Sequence, residues 1–238
     1  LYLIGTGTEF TIEALSNTGR RIIEYLSSDK KRFDFCEHVE FDPQTITGQI
    51  KQDGGVVDEQ TRLQSTNQMD VLRAVAFAFK LASPPFRVTC GLLGAISYDF
   101  IDQFEKLPPN KEDLLGNPDY ELYFADNIFL CDHQHKKGYC IVNCLITDGD
   151  REAQIAEVQE CFDYYFNVAK SPGAAPKGQQ FAGPLAEPSM DTNQSEYENM
   201  VLRAKQHIID GDIFQVVLSR TIIEPCPDEP LDVYKRLR

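Results

Sequence analysis

A helix signal that stops at a glycine and passes at once into an apolar run constrains this chain more than any other stretch. Ser195-Glu196-Tyr197-Glu198 opens it. Ser195 is a candidate N-cap, and Glu198, three residues on, completes a capping box. Tyr197, Val201, Ala204 and Ile208 make one helical stripe, and Gly211 can take the positive φ of a helix stop. Residues 213–223 then predict a strand. Alternation puts Phe214, Val216 and Leu218 on one face and Gln215, Val217 and Ser219 on the other. Gln215 is the informative residue of the run. Either it hydrogen-bonds within the fold or it faces a cleft that holds a polar substrate, and spacing alone leaves both readings open.

The rest of the chain reads as strands and helices without strict alternation. Residues 1–12 predict two strands joined at Gly5-Thr6-Gly7-Thr8, and a short helix follows near 20–26. Residues 33–41 alternate like a strand, with Phe33, Phe35, Glu37 and Val39 on one face. Residues 42–63 are polar and Gly-rich and predict a long loop. A helix over 69–81, capped by Ser65 or Thr66, carries Leu72, Val75, Ala76 and Phe79 and stops at Ser83-Pro84-Pro85. Residues 87–98 predict a central strand approached closely at Gly91 and Gly94. A short helix over 100–105 follows, ended by Leu107-Pro108-Pro109. Residues 120–131 and 139–146 predict a hairpin across the turn 132–138. An amphipathic helix over 151–168 follows, with Ile155, Val158, Phe162 and Tyr165 on one face. The pattern fits α+β, mostly antiparallel sheets with flanking helices, and not a doubly wound parallel sheet.

Four prolines between Lys170 and Asp191, set among Gly and Ala, read as a linker. The expected organisation is a first domain over 1–169, a linker over 170–191 and a second unit over 192–238. One helix, one strand and half a helix cannot build a core, so the second domain is expected to be incomplete. The first residues lack an initiator Met and start inside a strand. The chain is therefore expected to begin and end mid-protein.

Charge and cysteines exclude several classes. The net charge is −14, whereas binding a phosphate backbone needs clustered Lys and Arg, which argues against nucleic acid. No run of 18 apolar residues suggests a membrane span, and the start does not resemble a signal peptide. Seven Cys without paired spacing suit reduced thiols in a cytoplasmic protein. Cys131, His133, His135, Cys140 and Cys144 share one predicted hairpin, but their spacing does not fit a zinc site, and no metal ligands are assigned. Asp99, Asp102 and Glu105 share a helix face and read as a solvated surface. No glycine-rich phosphate loop is present.

Several quoted stretches carry a family resemblance, in order along the whole chain. "GDIFQVVLSR" resembles the strand that opens the chorismate-binding domain of chorismate-utilising enzymes. "LYLIGTGTEFTIEALSNTG", "GLLGAISYDFIDQFEKLP" and "PDYELYFADNIFLCDHQHKKGYCIVNCLI" are similar to the early strand pair, the Gly-rich strand with Ser-Tyr-Asp, and the Asp-His-Gln hairpin of the large subunit (component I) of anthranilate synthases. The resemblance implies an enzyme that converts chorismate and ammonia to anthranilate and pyruvate in tryptophan biosynthesis, in the carbon–oxygen lyase class. It implies a glutaminase partner that supplies ammonia from glutamine, Mg²⁺ in the intact enzyme, and tryptophan as feedback inhibitor. It implies a regulatory-type first domain and the first elements of the catalytic one in the second unit. The family's Mg²⁺-binding glutamates, catalytic His and both halves of its tryptophan site lie outside these residues. A fragment inactive alone, with no Mg²⁺ bound, is therefore expected. Gln215 is the candidate catalytic-site residue, on the nucleophile side of the chorismate pocket. Water-using relatives carry Lys there. Two other readings remain at this point: a 4-amino-4-deoxychorismate synthase subunit, or a non-catalytic piece acting in tryptophan response or glutaminase docking.

Overall fold

The computed structural model describes residues 1–51, 65–80, 86, 88–105, 116–146, 149, 151–171 and 187–238. The chain divides into two compact units, Leu1–Pro172 and Gly173–Arg238. The mixed α and β architecture, with antiparallel sheets and flanking helices, agrees with the expected fold class.

The first unit is built on a six-stranded antiparallel sheet. Its strands are β1 (Tyr2–Thr6), β2 (Glu9–Glu13), β3 (Cys36–Phe41), β4 (Thr45–Ile50), β5 (Gly91–Ile96) and β6 (Tyr120–Ala125), in the order β3-β4-β2-β1-β6-β5. In register, Leu3 faces Ile12 and Leu122, while Phe10 and Ile12 lie opposite Gly48 and Ile46. Every second residue therefore points to one face, and Leu3, Ile12 and Ile46 are fully buried there. Helix α1 (Asn17–Ser28) covers that face with Ile22, Ile23 and Leu26, and helix α2 (Gln68–Ala76) adds Val71, Leu72 and Val75. Each such side chain contributes about 1.5–3 kcal/mol of burial, so this cluster holds the unit together. Phe33 joins it, with ring centroids 6.3 Å from Phe10 and 5.6 Å from Phe41.

Several expected elements shift. Residues 42–63 were expected to form a loop, yet 45–50 form β4, which pairs with both β3 and β2. Its Thr and Gln residues occupy the open sheet face, so the run reads polar while Ile46 and Ile50 are buried. Residues 52–63 of that expected loop lie outside the described residues. The strand expected over 33–41 begins only at Cys36, because Lys30–Phe33 form a 3₁₀ turn, and its register slips between Cys36 and His38. Helix α1 begins at Asn17 and is capped by Ser16, whose hydroxyl accepts from the Gly19 N–H at 3.0 Å. Helix α2 is capped by Asn67, not Ser65 or Thr66, in a box with Asp70. The stops expected at Ser83-Pro84-Pro85 and Leu107-Pro108-Pro109 lie outside the described residues.

Among the described residues β5 is an edge strand and not a central one. The close approach read from its two glycines occurs at Gly94 and not at Gly91, where an added Cβ would meet nothing within 4 Å. A Cβ at Gly94 would lie 2.2 Å from the Glu121 carbonyl oxygen, and its φ of +156 disfavours a side chain as well. The helix expected at 100–105 is a 3₁₀ turn, Tyr98–Gln103, with Phe100 buried. The expected long hairpin divides at Asp126. β6 belongs to the large sheet, while β7 (Asn127–Asp132) pairs with β8 (Lys137–Val142) in a separate two-stranded ribbon. Helix α3 (Arg151–Lys170) packs against β8. Arg21 of α1 reaches Glu157 of α3 at 2.7 Å.

The second unit holds β9 (Ser189–Met190), α4 (Gln194–Asp210), β10 (Ile222–Ile223) and α5 (Pro230–Leu237). β9 and β10 pair antiparallel, Ile222 with Met190 and Ile223 with Ser189. Among its described residues no hydrophobic side chain is buried.

Candidate functional site

Helix α4 presents the candidate residue, and its two ends are built differently. At its start Asn193 accepts from the Glu196 N–H at 3.0 Å, while the Glu196 carboxylate accepts from the Asn193 N–H at 2.9 Å. This is a capping box two residues earlier than the one expected at Ser195 and Glu198. Both pairs carry the required spacing, and the helix uses the first. At the other end Gly211, with φ 83, turns the chain as expected. The Asp212 N–H then donates to the His207 carbonyl at 3.0 Å, and His207 Nδ1 lies 2.8 Å from Asp212 Oδ2.

Residues 213–221 follow without regular secondary structure or ladder partners among the described residues, with a bend at Phe214, and only Ile222–Ile223 of the expected strand pair. The expected alternation therefore does not hold. Ile213, Val216 and Leu218 face α4 across a cavity of about 260 Å³ also lined by Met200, Arg203, Ala204 and His207. Phe214 is 99% exposed, on no common face with Val216 and Leu218. The two-residue period belongs to a pleated, extended backbone, and the bend at Phe214 breaks it. Gln215 is exposed, and its amide makes no hydrogen bond to a described residue. The far end of the stretch is held by the Tyr197 hydroxyl, which donates to the Leu218 carbonyl at 3.5 Å. The Thr221 N–H donates to the Asp191 carboxylate at 3.0 Å, and the Arg220 guanidinium sits 5.9 Å from the Tyr197 ring centroid.

The other sequence candidates belong to the first unit. His135 Nδ1 lies 2.7 Å from Asp132 in the exposed β7–β8 turn. Hydrogen bonds from His135 hold the Asp132 carboxyl below its ordinary value. Asp99 and Asp102 are exposed. All seven cysteines are free thiols. Among the described residues no three His, Cys, Asp or Glu side chains gather as a metal site. Mg²⁺ is held through carboxylate oxygens, and no such cluster among the described residues offers the ion that the resemblance implies a seat. No helix among them is long and apolar enough to cross a membrane.

Residues 25–238 match the family of chorismate binding enzymes. The chain belongs to that family. Among its relatives, anthranilate synthase component 1 of Vibrio parahaemolyticus is 30% identical over 235 residues, 98% of this chain and 41% of its own length. The pyocyanine-specific anthranilate synthase component 1 of Pseudomonas aeruginosa is 27% identical over 233 residues, 97% of this chain and 41% of its own length. The crystal structure of anthranilate synthase component I from Streptococcus pneumoniae superposes with a TM-score of 0.60 at 21% identity. It covers all of this chain and 45% of its own, and supports the fold. The chain thus spans about two fifths of the length of the curated relatives it matches.

Proposed function

We propose that this chain is part of the large subunit of an anthranilate synthase, which converts chorismate and ammonia to anthranilate and pyruvate. The observation that carries the reading is the alignment of nearly the whole chain with anthranilate synthase component 1. On this reading residues 1–169 form the regulatory-type domain, 170–191 the linker, and 192–238 the opening elements of the chorismate-binding catalytic domain. A partner glutaminase releases ammonia from glutamine. Tryptophan is the feedback inhibitor of the full-length enzyme. Mg²⁺ is held there by residues outside this chain, and residues 1–238 alone turn over no chorismate. The setting is cytoplasmic tryptophan biosynthesis.

Ammonia attacks C2 of the chorismate ring, and the 4-hydroxyl leaves. The enolpyruvyl group then departs as pyruvate while the ring loses a proton and becomes aromatic. Gln215 stands on the nucleophile side of the pocket. A Lys at this position can act as general base on water in water-using relatives. A neutral amide cannot take a proton, and ammonia is nucleophilic without one. The residue type therefore suits an ammonia-using enzyme.

The test uses the full-length polypeptide with chorismate, ammonium and Mg²⁺. Anthranilate fluorescence with one pyruvate per turnover is expected. Accumulation of 4-amino-4-deoxychorismate without pyruvate would overturn the assignment.

A further inference from the structure

The exit of α4 holds a contact that the reaction as described does not use. Asp212 is bound to His207 twice, through its N–H to the His207 carbonyl at 3.0 Å and through its carboxylate to His207 Nδ1 at 2.8 Å. A carboxylate only accepts, so the imidazole donates from Nδ1. The backbone bond alone would form with any residue at 207, since it belongs to the glycine-stopped helix end. The side-chain bond adds a second tether across Gly211 and removes the freedom to swivel there.

The residues around the pair leave it to itself. Gln206 donates to Asp210 at 2.7 Å, which occupies the neighbouring carboxylate. Arg203 is the charged side chain sharing the small cavity with His207. Three residues beyond Asp212 stands Gln215, on a bridge whose far end is fixed by Tyr197 and Asp191. No ladder bonds hold residues 213–221 between these anchors among the described residues, so their course depends on how the bridge is launched.

We propose that His207 and Asp212 are positioning residues for Gln215, their paired side chains fixing the direction in which residues 213–221 leave α4. The inference rests on the reading of Gln215 as a residue of the chorismate pocket. The pair acts through Gln215 and does not touch substrate.

The experiment measures ammonia-dependent anthranilate formation by the full-length polypeptide with its glutaminase subunit. The variants are His207→Ala, His207→Asn, Asp212→Ala, the His207→Ala/Asp212→Ala double and Gln215→Ala. His207→Ala and Asp212→Ala each lower kcat about three- to fivefold, the upper reach of an exposed pair, with KM for chorismate unchanged. His207→Asn, whose amide nitrogen replaces Nδ1 as donor, restores most of the loss. The double variant is no worse than either single one, because both remove the same contact. Unchanged kcat in His207→Ala, beside a fall in Gln215→Ala, overturns the positioning role and leaves the pocket reading standing. Unchanged activity in Gln215→Ala overturns both. The side chains of His207 and Asp212 are more than half exposed, so the variants keep the fold, which their far-ultraviolet dichroism checks.

Discussion

Gln68 carries three hydrogen bonds with none of its side chain exposed. Its Nε2 donates to the Gly7 and Glu9 carbonyls at 3.1 and 3.0 Å, and its Oε1 accepts from the Tyr120 hydroxyl at 3.1 Å. The side chain ties the β1–β2 turn to β6 through the start of α2. Gln68→Leu removes the amide donor to the Glu9 carbonyl and strands the buried Tyr120 hydroxyl, while the Gly7 carbonyl keeps its bond from Gln103 at 2.8 Å, so unfolding in urea is expected to show a loss of about 1–3 kcal/mol. A loss within 0.5 kcal/mol, about the level of an inert surface change, would contradict this account. Nothing in the sequence marks Gln68, because its partners lie 52 to 61 residues away. Cys36 gives a second prediction. Burial raises its thiol from 9.0 to about 11. The folded state therefore holds the proton more tightly than the unfolded state does. The stability this adds is fully present below pH 9.0 and is lost as pH rises toward 11. Unfolding free energy should fall across that window, and fall less steeply in Cys36→Ala.

At the scale of elements, the readable signals were those with a local cause. Gly211 stops α4 because a glycine accepts positive φ, and the stripe Tyr197, Val201, Ala204, Ile208 does fall on a helix. Signals with two local solutions were resolved by context. Asn193–Glu196 and Ser195–Glu198 both satisfy the capping-box spacing, and the structure uses the first. Asn193→Ala should therefore destabilise α4 by about 1 kcal/mol, seen as lost amide-exchange protection in its first turn, while Ser195→Ala stays within a few tenths. The reverse ranking would contradict the assigned cap. Signals that depend on partners failed. β4 was hidden because its outward Thr and Gln side chains read as loop, and residues 213–221 read as a strand although no described neighbour pairs with them. Strand β5 looked central from its apolar composition, yet it ends the sheet among the described residues.

For the molecule as a whole, the hydrophobic core belongs to the first unit. Its buried side chains run from Leu1 to Phe124, and the second unit buries Thr192 but no apolar side chain among its described residues. Residues 1–172 alone are expected to unfold cooperatively, by circular dichroism against temperature, while a peptide of residues 187–238 shows no sigmoidal transition. A cooperative transition in the peptide would contradict this division of stability. Fold class and family were legible because several motifs recur in order along the whole chain. The placement of Gln215 was only half legible. The sequence puts it beside a helix stop, but no described residue hydrogen-bonds its amide, so its surroundings could not be read from local pattern. The central claim is that Gln215 lies at the nucleophile side of a chorismate pocket in an ammonia-using enzyme. Product analysis of Gln215→Lys in the full-length polypeptide tests it most directly. Reduced anthranilate together with a water-derived isochorismate product is the expected result; undiminished anthranilate with no water-derived product would contradict the claim.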